Sequence, residues 1–197
     1  MTSPTAIRVA SGRLVDLLAM RPEDVLLSDI AAGLAHQERF TGHCPLHPTV
    51  AQHSLAVEHI ACDLTYRRDL LRSKYHSAEE HKAIGRAALM HDAAEAYVSD
   101  VSSPAKRAMR DIDCFPVTSP FDSLEGDVQE AIEGRFDCAP GDWAGLIKEA
   151  DDLAYLYESK YAGWNEPDRE LPDWLKRDLY VARCYGEHPQ SGEFLVD

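Results

Sequence analysis

The sequence predicts an all-α fold, a single helical bundle over residues 1–197. Three observations predict it. Apolar residues recur at helical rather than alternating spacing through most of the chain. The apolar runs begin at capping patterns such as Thr49-x-x-Gln52 and Ser77-x-x-Glu80. Proline and glycine fall between the runs, where short linkers belong.

In chain order, IRVASGRLVDLL reads as a short strand or an extended lead-in that Pro22 closes. Ser28 is a candidate N-cap for a short helix carrying Ile30, Ala31, Leu34 and Ala35 inward. HQERFTGHCPLHP is a loop by its Gly42, Pro45 and Pro48. The Thr49 box opens a helix through about Leu64, whose apolar stripe is Val50, His53, Val57, Ile60, Ala61 and Leu64, with His59 opposite. The Ser77 box opens a helix to about Tyr97, with Ile84, Ala87, Ala88, His91, Ala94, Glu95 and Val98 on its inner face. Ser103-Pro104 starts a short helix, and CFPVTSPFD is a loop. A helix from about Pro120 to Phe136 turns Phe121, Leu124, Val128 and Ile132 inward. After a break at Asp137–Asp142, the helix Trp143–Tyr161 buries Leu146, Ile147, Ala150, Leu153, Ala154 and Tyr157. A last helix spans about Asp173 to Tyr185.

Composition narrows the function. Hydrophobic content of 45% and charged content of 27% describe an ordinary globular chain. The net charge of -14 excludes a nucleic-acid polymer as the natural partner, since that surface needs clustered Lys and Arg. It leaves room for a single nucleotide neutralised by a metal and a few local cations. The five cysteines, Cys44, Cys62, Cys114, Cys138 and Cys184, contain no CxxC pair, which points to thiols in a reducing compartment, the cytoplasm. Arg8 and Arg13 interrupt the N-terminal apolar runs, so neither a signal peptide nor a membrane partner is expected. Self-association into a homo-oligomer is compatible with all of this.

The chemistry gathers at LMHDAAE, residues 89–95. Residues four apart share a helical face, so His91 and Glu95 are expected in one pocket with Asp92 at its border. A buried carboxylate demands compensation. His53 sits in the middle of an apolar stripe, and Asp151 borders the inner face of the helix after residue 143, whereas Asp152 points away. Two imidazoles and two carboxylates suit a divalent cation with open positions for water and a phosphate oxygen. Cys44-x-x-His47 has no second ligand pair at finger-like spacing, so a structural zinc is not expected there.

QHSLAVEHIA, ALMHDAAEAYVSDVSSPAKR and KEADDLAYL, in that order, resemble the HD superfamily of metal-dependent phosphohydrolases, in particular the bacterial HD-domain 5′-deoxynucleotidases. ERFTGH followed by VAQHS also resembles the related phage dATP triphosphohydrolases. The resemblance covers roughly residues 36–160. It implies that His53, His91, Asp92 and Asp151 hold one divalent ion (Co, Mn, Zn or Mg) and that Glu95 acts as acid or base on the attacking water. It further implies that Arg39 and Lys106 contact phosphate, that Phe40 lines the sugar where those enzymes carry tryptophan, and that Asp100 meets the sugar 3′-hydroxyl or assists the water. Ser99-Asp100 replaces a Gly-Asp of that pattern, and Gln52 replaces an acidic residue.

The function expected is hydrolysis of deoxynucleoside 5′-monophosphates. The alternatives are a dNTP triphosphohydrolase releasing triphosphate, an HD phosphodiesterase of cyclic or alarmone nucleotides, and a non-catalytic nucleotide- or metal-binding protein. A catalytically dead relative should have lost Glu95 or a ligand, and all are present.

Overall fold

The computed structural model describes residues 3–73, 75–112, 118–164, 169–176 and 183–185. It is mostly helical, as the periodicity predicts. No helix among the described residues is long and apolar enough to cross a membrane. Cys44, Cys62, Cys138 and Cys184 form no disulfide, and Cys114 lies outside the described residues. The chain divides into two compact units. The first takes residues up to His43, Thr49–Ala51 and Asp92–Ala139. The second takes Cys44–Pro48, Gln52–His91 and the chain from Pro140 onward.

The first unit opens with a hairpin, β1 (Ala6–Arg8) antiparallel to β2 (Leu14–Asp16), with Ile7 opposite Val15. The short strand or extended lead-in expected here is two short strands. Helix α1 (Leu27–Ala35) follows, and its N-cap is Leu26 rather than Ser28. Ile30 and Leu34 face inward as expected, but Ala31 and Ala35 are exposed. The third inward residue is Asp29, whose buried carboxylate accepts from the Ser11 amide (2.6 Å) and the Ser11 hydroxyl (2.9 Å). Those bonds offset the desolvation that would otherwise keep an aspartate out.

α4 (Glu95–Val98) packs on α1. The approach is closer than a side chain allows, because a Cβ on Gly33 would lie 2.8 Å from the Ala96 Cβ and 2.9 Å from the Ala96 carbonyl oxygen. α5 (Ser103–Ile112) and α6 (Pro120–Phe136) complete this unit. α6 has the expected bounds, with Val128 and Ile132 fully buried. Ser119 caps it in a reciprocal box with Asp122.

The second unit holds most of α2 (Val50–Arg72), then α3 (Ala78–Leu89), α7 (Ala144–Tyr161) and α8 (Asp173–Lys176). α2 runs two turns beyond the expected Leu64. The Ser77–Glu80 box that opens α3 forms as expected, with the Ser77 amide donating to Glu80 at 2.7 Å. Val57, Ile60, Ile84, Ala150, Leu156 and Leu175 are at its core. Each fully buried aliphatic side chain of this kind stabilises the fold by about 1.5–3 kcal/mol. The last expected helix is seen as α8, and residues 177–182 lie outside the described residues.

Candidate metal centre

The helix expected from Ser77 to Tyr97 does not run through. α3 ends at Leu89, Met90 to Ala94 form a turn, and α4 starts at Glu95. The cause is His91. In an unbroken helix the Ala88 carbonyl would accept from the Asp92 amide. Instead it accepts from the His91 amide (3.4 Å) and from His91 Nδ1 (2.8 Å). The following bonds tighten to three-residue spacing, with Glu95 N–H donating to Asp92 O (3.1 Å) and Ala96 N–H to Ala93 O (3.2 Å). The Ala94 amide is taken by Gln129 Oε1 at 3.1 Å. The shared helical face on which His91 and Glu95 were paired is thus replaced by a turn.

The break has a chemical consequence. With Nδ1–H donated to a carbonyl, Nε2 is the His91 nitrogen left to bind a metal ion. His53, fully buried on α2, is arranged the same way. Its Nδ1 lies 3.0 Å from Glu158 Oε1, and its Nε2 lies 3.1 Å from Asp151 Oδ1. A carboxylate faces each ring nitrogen. The ring is therefore either an imidazolium donating to both or a neutral ring with its Nδ1 proton held by Glu158 and a cation in place of the proton at Nε2. Two lone pairs at that separation repel unless a proton or a cation stands between them. His53, His91 and Asp151 each offer an atom within 4.8 Å of the other two, and the His53 and His91 rings are 5.4 Å apart. This N, N, O donor set fits a divalent transition-metal ion.

Burial pushes the Asp151 carboxyl up, but the hydrogen bond and charge of His53, with His91 and Lys148, hold it well below the usual carboxylate range. It is therefore ionised and fit to be a ligand. Asp152 is half exposed and pairs with Lys148 at 2.9 Å, a solvated role.

Glu158 was not singled out from the sequence. It is buried on α7, and Tyr185 donates its hydroxyl to the same Oε1 at 2.8 Å. A signal existed. Seven residues separate Asp151 from Glu158, about two turns, so the two share a helical face.

The other expected site residues, Arg39, Phe40, Asp92, Glu95, Asp100 and Lys106, lie in the first unit. Glu95 is buried on the short α4, and its Oε2 has no hydrogen-bond partner among the described residues. Burial, then the charges of Asp92 and Asp100, push its carboxyl up to about 9, against the smaller opposing pull of Arg39 and Lys106. Glu95 therefore carries its proton at neutral pH. Arg39 is nearly buried, 4.0 Å from Asp92 and 5.5 Å above the Phe40 ring. Phe40 (φ 57°), Thr41 (φ 53°) and Gly42 (φ 73°) are three successive left-handed residues. Two of them are not glycine, so this loop holds strain. Lys106 is committed to Glu125 through two bonds of 2.7 Å and lies over Phe121.

Gln37 is a second residue missed from the sequence. Its side-chain amide donates to the Glu95 carbonyl (2.7 Å) and accepts from the Asp100 amide (2.9 Å), while its own carbonyl accepts from Val50. One residue thus ties the start of α4 and the segment after it, through its side chain, to the start of α2, through its backbone.

Fold and site together define an all-α protein with histidine and aspartate groups suited to holding a metal ion. Over 173 residues the chain is 30% identical to an uncharacterized protein of Rhodobacter capsulatus, covering 83% of this chain and 76% of that one. It belongs to the family of that protein. It is also 29% identical over 160 residues to the uncharacterized protein YfdR of Escherichia coli, covering 81% of this chain and 74% of YfdR. No family model matches the chain.

Proposed function

We propose that this protein is an HD-type, metal-dependent phosphohydrolase of nucleoside phosphates, acting on deoxynucleoside 5′-monophosphates. The observation that carries the reading is the convergence of His53 Nε2, His91 and Asp151 Oδ1 in the order and sequence context that resembles the HD phosphohydrolases. When bound, a divalent ion supplies Lewis acidity and a water acidic enough to attack near neutral pH.

The chain's own groups do the rest. Glu158 holds the Nδ1 proton of His53 and keeps Nε2 available as a donor. Asp92, next along the chain from His91, is the fourth ligand that the resemblance implies. Glu95 handles the proton of the attacking water or of the leaving oxygen. Arg39 offers a guanidinium fork to the phosphate, with Phe40 beside the sugar and Asp100 at its hydroxyl.

The monophosphate is favoured over the triphosphate by charge. Three of the cations around the motifs come already matched: Arg39 with Asp92, Lys106 with Glu125, Arg110 with Asp122. A β- and a γ-phosphate would need further cations that these residues do not supply.

The test is a panel of dNMPs and dNTPs with Co²⁺, Mn²⁺, Mg²⁺ and Zn²⁺, scored for orthophosphate against triphosphate. Orthophosphate from dNMPs is expected, together with a loss of about 10²–10⁴ in rate for Glu95→Gln. Triphosphate as the main product from dATP would replace the substrate reading. No turnover of any member by metal-loaded protein would remove the enzyme reading.

A further inference from the structure

A second group of potential ligands lies at the other end of α2. Asp69 in the last turns of α2, His76 in the connection and His81 in the first turns of α3 offer three atoms within 4.8 Å of one another. They belong to the same compact unit as His53 but share no residue with the first centre. The Asp69 side chain is 3% exposed, against 23% for His76 and 30% for His81. A buried carboxylate therefore sits under two imidazoles that solvent can reach.

Two explanations compete for this arrangement, and distances separate them. If the triad were only a hydrogen-bonded brace, both imidazole nitrogens should sit near 2.9 Å from the carboxylate. His76 Nδ1 does, at 2.7 Å from Oδ1, and the His76 amide adds a bond of 2.9 Å to Oδ2. His81 Nε2 does not. It stops at 3.4 Å from Oδ2, long for a hydrogen bond to a charged acceptor. Ligand bonds of about 2.0–2.1 Å in a tetrahedral site place neighbouring donor atoms roughly 3.3–3.4 Å apart. The edge from His81 Nε2 to Asp69 Oδ2 already has that length, while His76 Nδ1 sits against the other carboxylate oxygen. The two rings stand at 89° with centroids 6.0 Å apart.

Three protein ligands leave a tetrahedral ion one open position. Asp69 and His76 also line a cavity of about 460 Å³, shared with Arg68, Arg72 and Trp143. That volume suits a small molecule. The His76 ring meets Trp143 edge-on at 5.0 Å.

We propose that Asp69, His76 and His81 form a second, solvent-accessible divalent-metal site of Zn²⁺ type. It would clamp the α2–α3 connection and leave one coordination position for water or a small exogenous ligand. The site is independent of the function proposed above, and its test does not use activity.

The experiment uses the full chain, stripped with chelator and dialysed against Zn²⁺, with bound metal counted per chain. Two ions are expected in the unaltered protein, one in His76→Gln/His81→Gln, and one in His53→Gln. Co²⁺ added to the His53→Gln protein should give visible absorption of tetrahedral strength that His81→Gln abolishes. Circular dichroism checks that each variant is folded. Should the double variant fail to fold, the single His81→Gln, altering a partly exposed ring, decides the matter. Equal metal content in the unaltered and His81→Gln proteins would overturn the proposal. So would a single ion in the unaltered protein that His53→Gln removes. Two ions in a protein without phosphohydrolase activity would leave this site standing and remove only the earlier reading.

Discussion

Ser99 is the place where a single substitution should make this protein more stable. It follows α4 with φ 73° and ψ 153°, a region that is essentially reserved for glycine and costs other residues about 1–3 kcal/mol. The motif that the chain resembles carries glycine at this position, before Asp100. Ser99 is exposed, so replacing its side chain uncovers nothing. Its amide bond to the Glu95 carbonyl, 2.9 Å, is made by backbone and survives. Ser99→Gly relieves the strain but loosens the unfolded chain, at about 0.5–1 kcal/mol. At the middle of these ranges the net gain is roughly 1 kcal/mol. At about 2–4 °C per kcal/mol for a chain of this length, Tm should rise by ~2–4 °C. Ser99→Ala keeps the strain and should not rise. A Ser99→Gly protein melting at or below the unaltered one would refute the strain argument, because entropy would then be its whole effect.

Four further outcomes follow from packing and charge. Gly33→Ala should destabilise by about 1–3 kcal/mol, since its Cβ would strike Ala96. Gly126→Ala in α6, with nothing within 4 Å, should stabilise by about 0.5–1 kcal/mol; chemical denaturation of the pair checks both signs. Glu158→Gln should weaken metal binding about tenfold, the low end for a group that orients a histidine ligand, by isothermal titration; unchanged affinity would sever Glu158 from the centre. Asp122, held down to about 2 by the Ser119 amide and Arg110, should shape the acid limb. Its folded value lies below the unfolded 3.8, so its contribution is complete above about pH 4 and is lost as pH falls toward 2. Asp122→Asn should flatten the fall of the urea midpoint across that window, and an unchanged slope would count against it.

Helices whose stripes are wholly apolar were readable from sequence. α6 has its expected bounds, and α7 starts within one residue of expectation, because Val128, Ile132, Leu146 and Ile147 repeat at the helical period between clear breakers. What escaped was backbone satisfied by side chains. Leu89, Met90 and Ala93 are ordinary helix residues, and no pattern of theirs announces that the His91 ring takes the Ala88 carbonyl. Likewise Asp29 reads as a solvated helix residue until Ser11, eighteen positions earlier, is brought to it. His53, His91 and Asp151 were legible because a polar group on an apolar face must be compensated. Gln37 was not, because its value lies in two backbone partners some sixty residues away.

The buried Asp29 carboxylate also governs how the chain can be shortened at the bench. Its two hydrogen bonds come from one residue, Ser11, in the turn between β1 and β2. Trimming the first thirteen residues, a natural choice for a two-stranded appendage on a helical protein, would strip those donors from a charge that stays inside. Groups left that way cost several kcal/mol. α1 bears Gly33, against which Ala96 of α4 is set, so the loss would travel to the helix that carries Glu95. An expression fragment should therefore keep the hairpin, or carry Asp29→Asn or Asp29→Leu along with the cut.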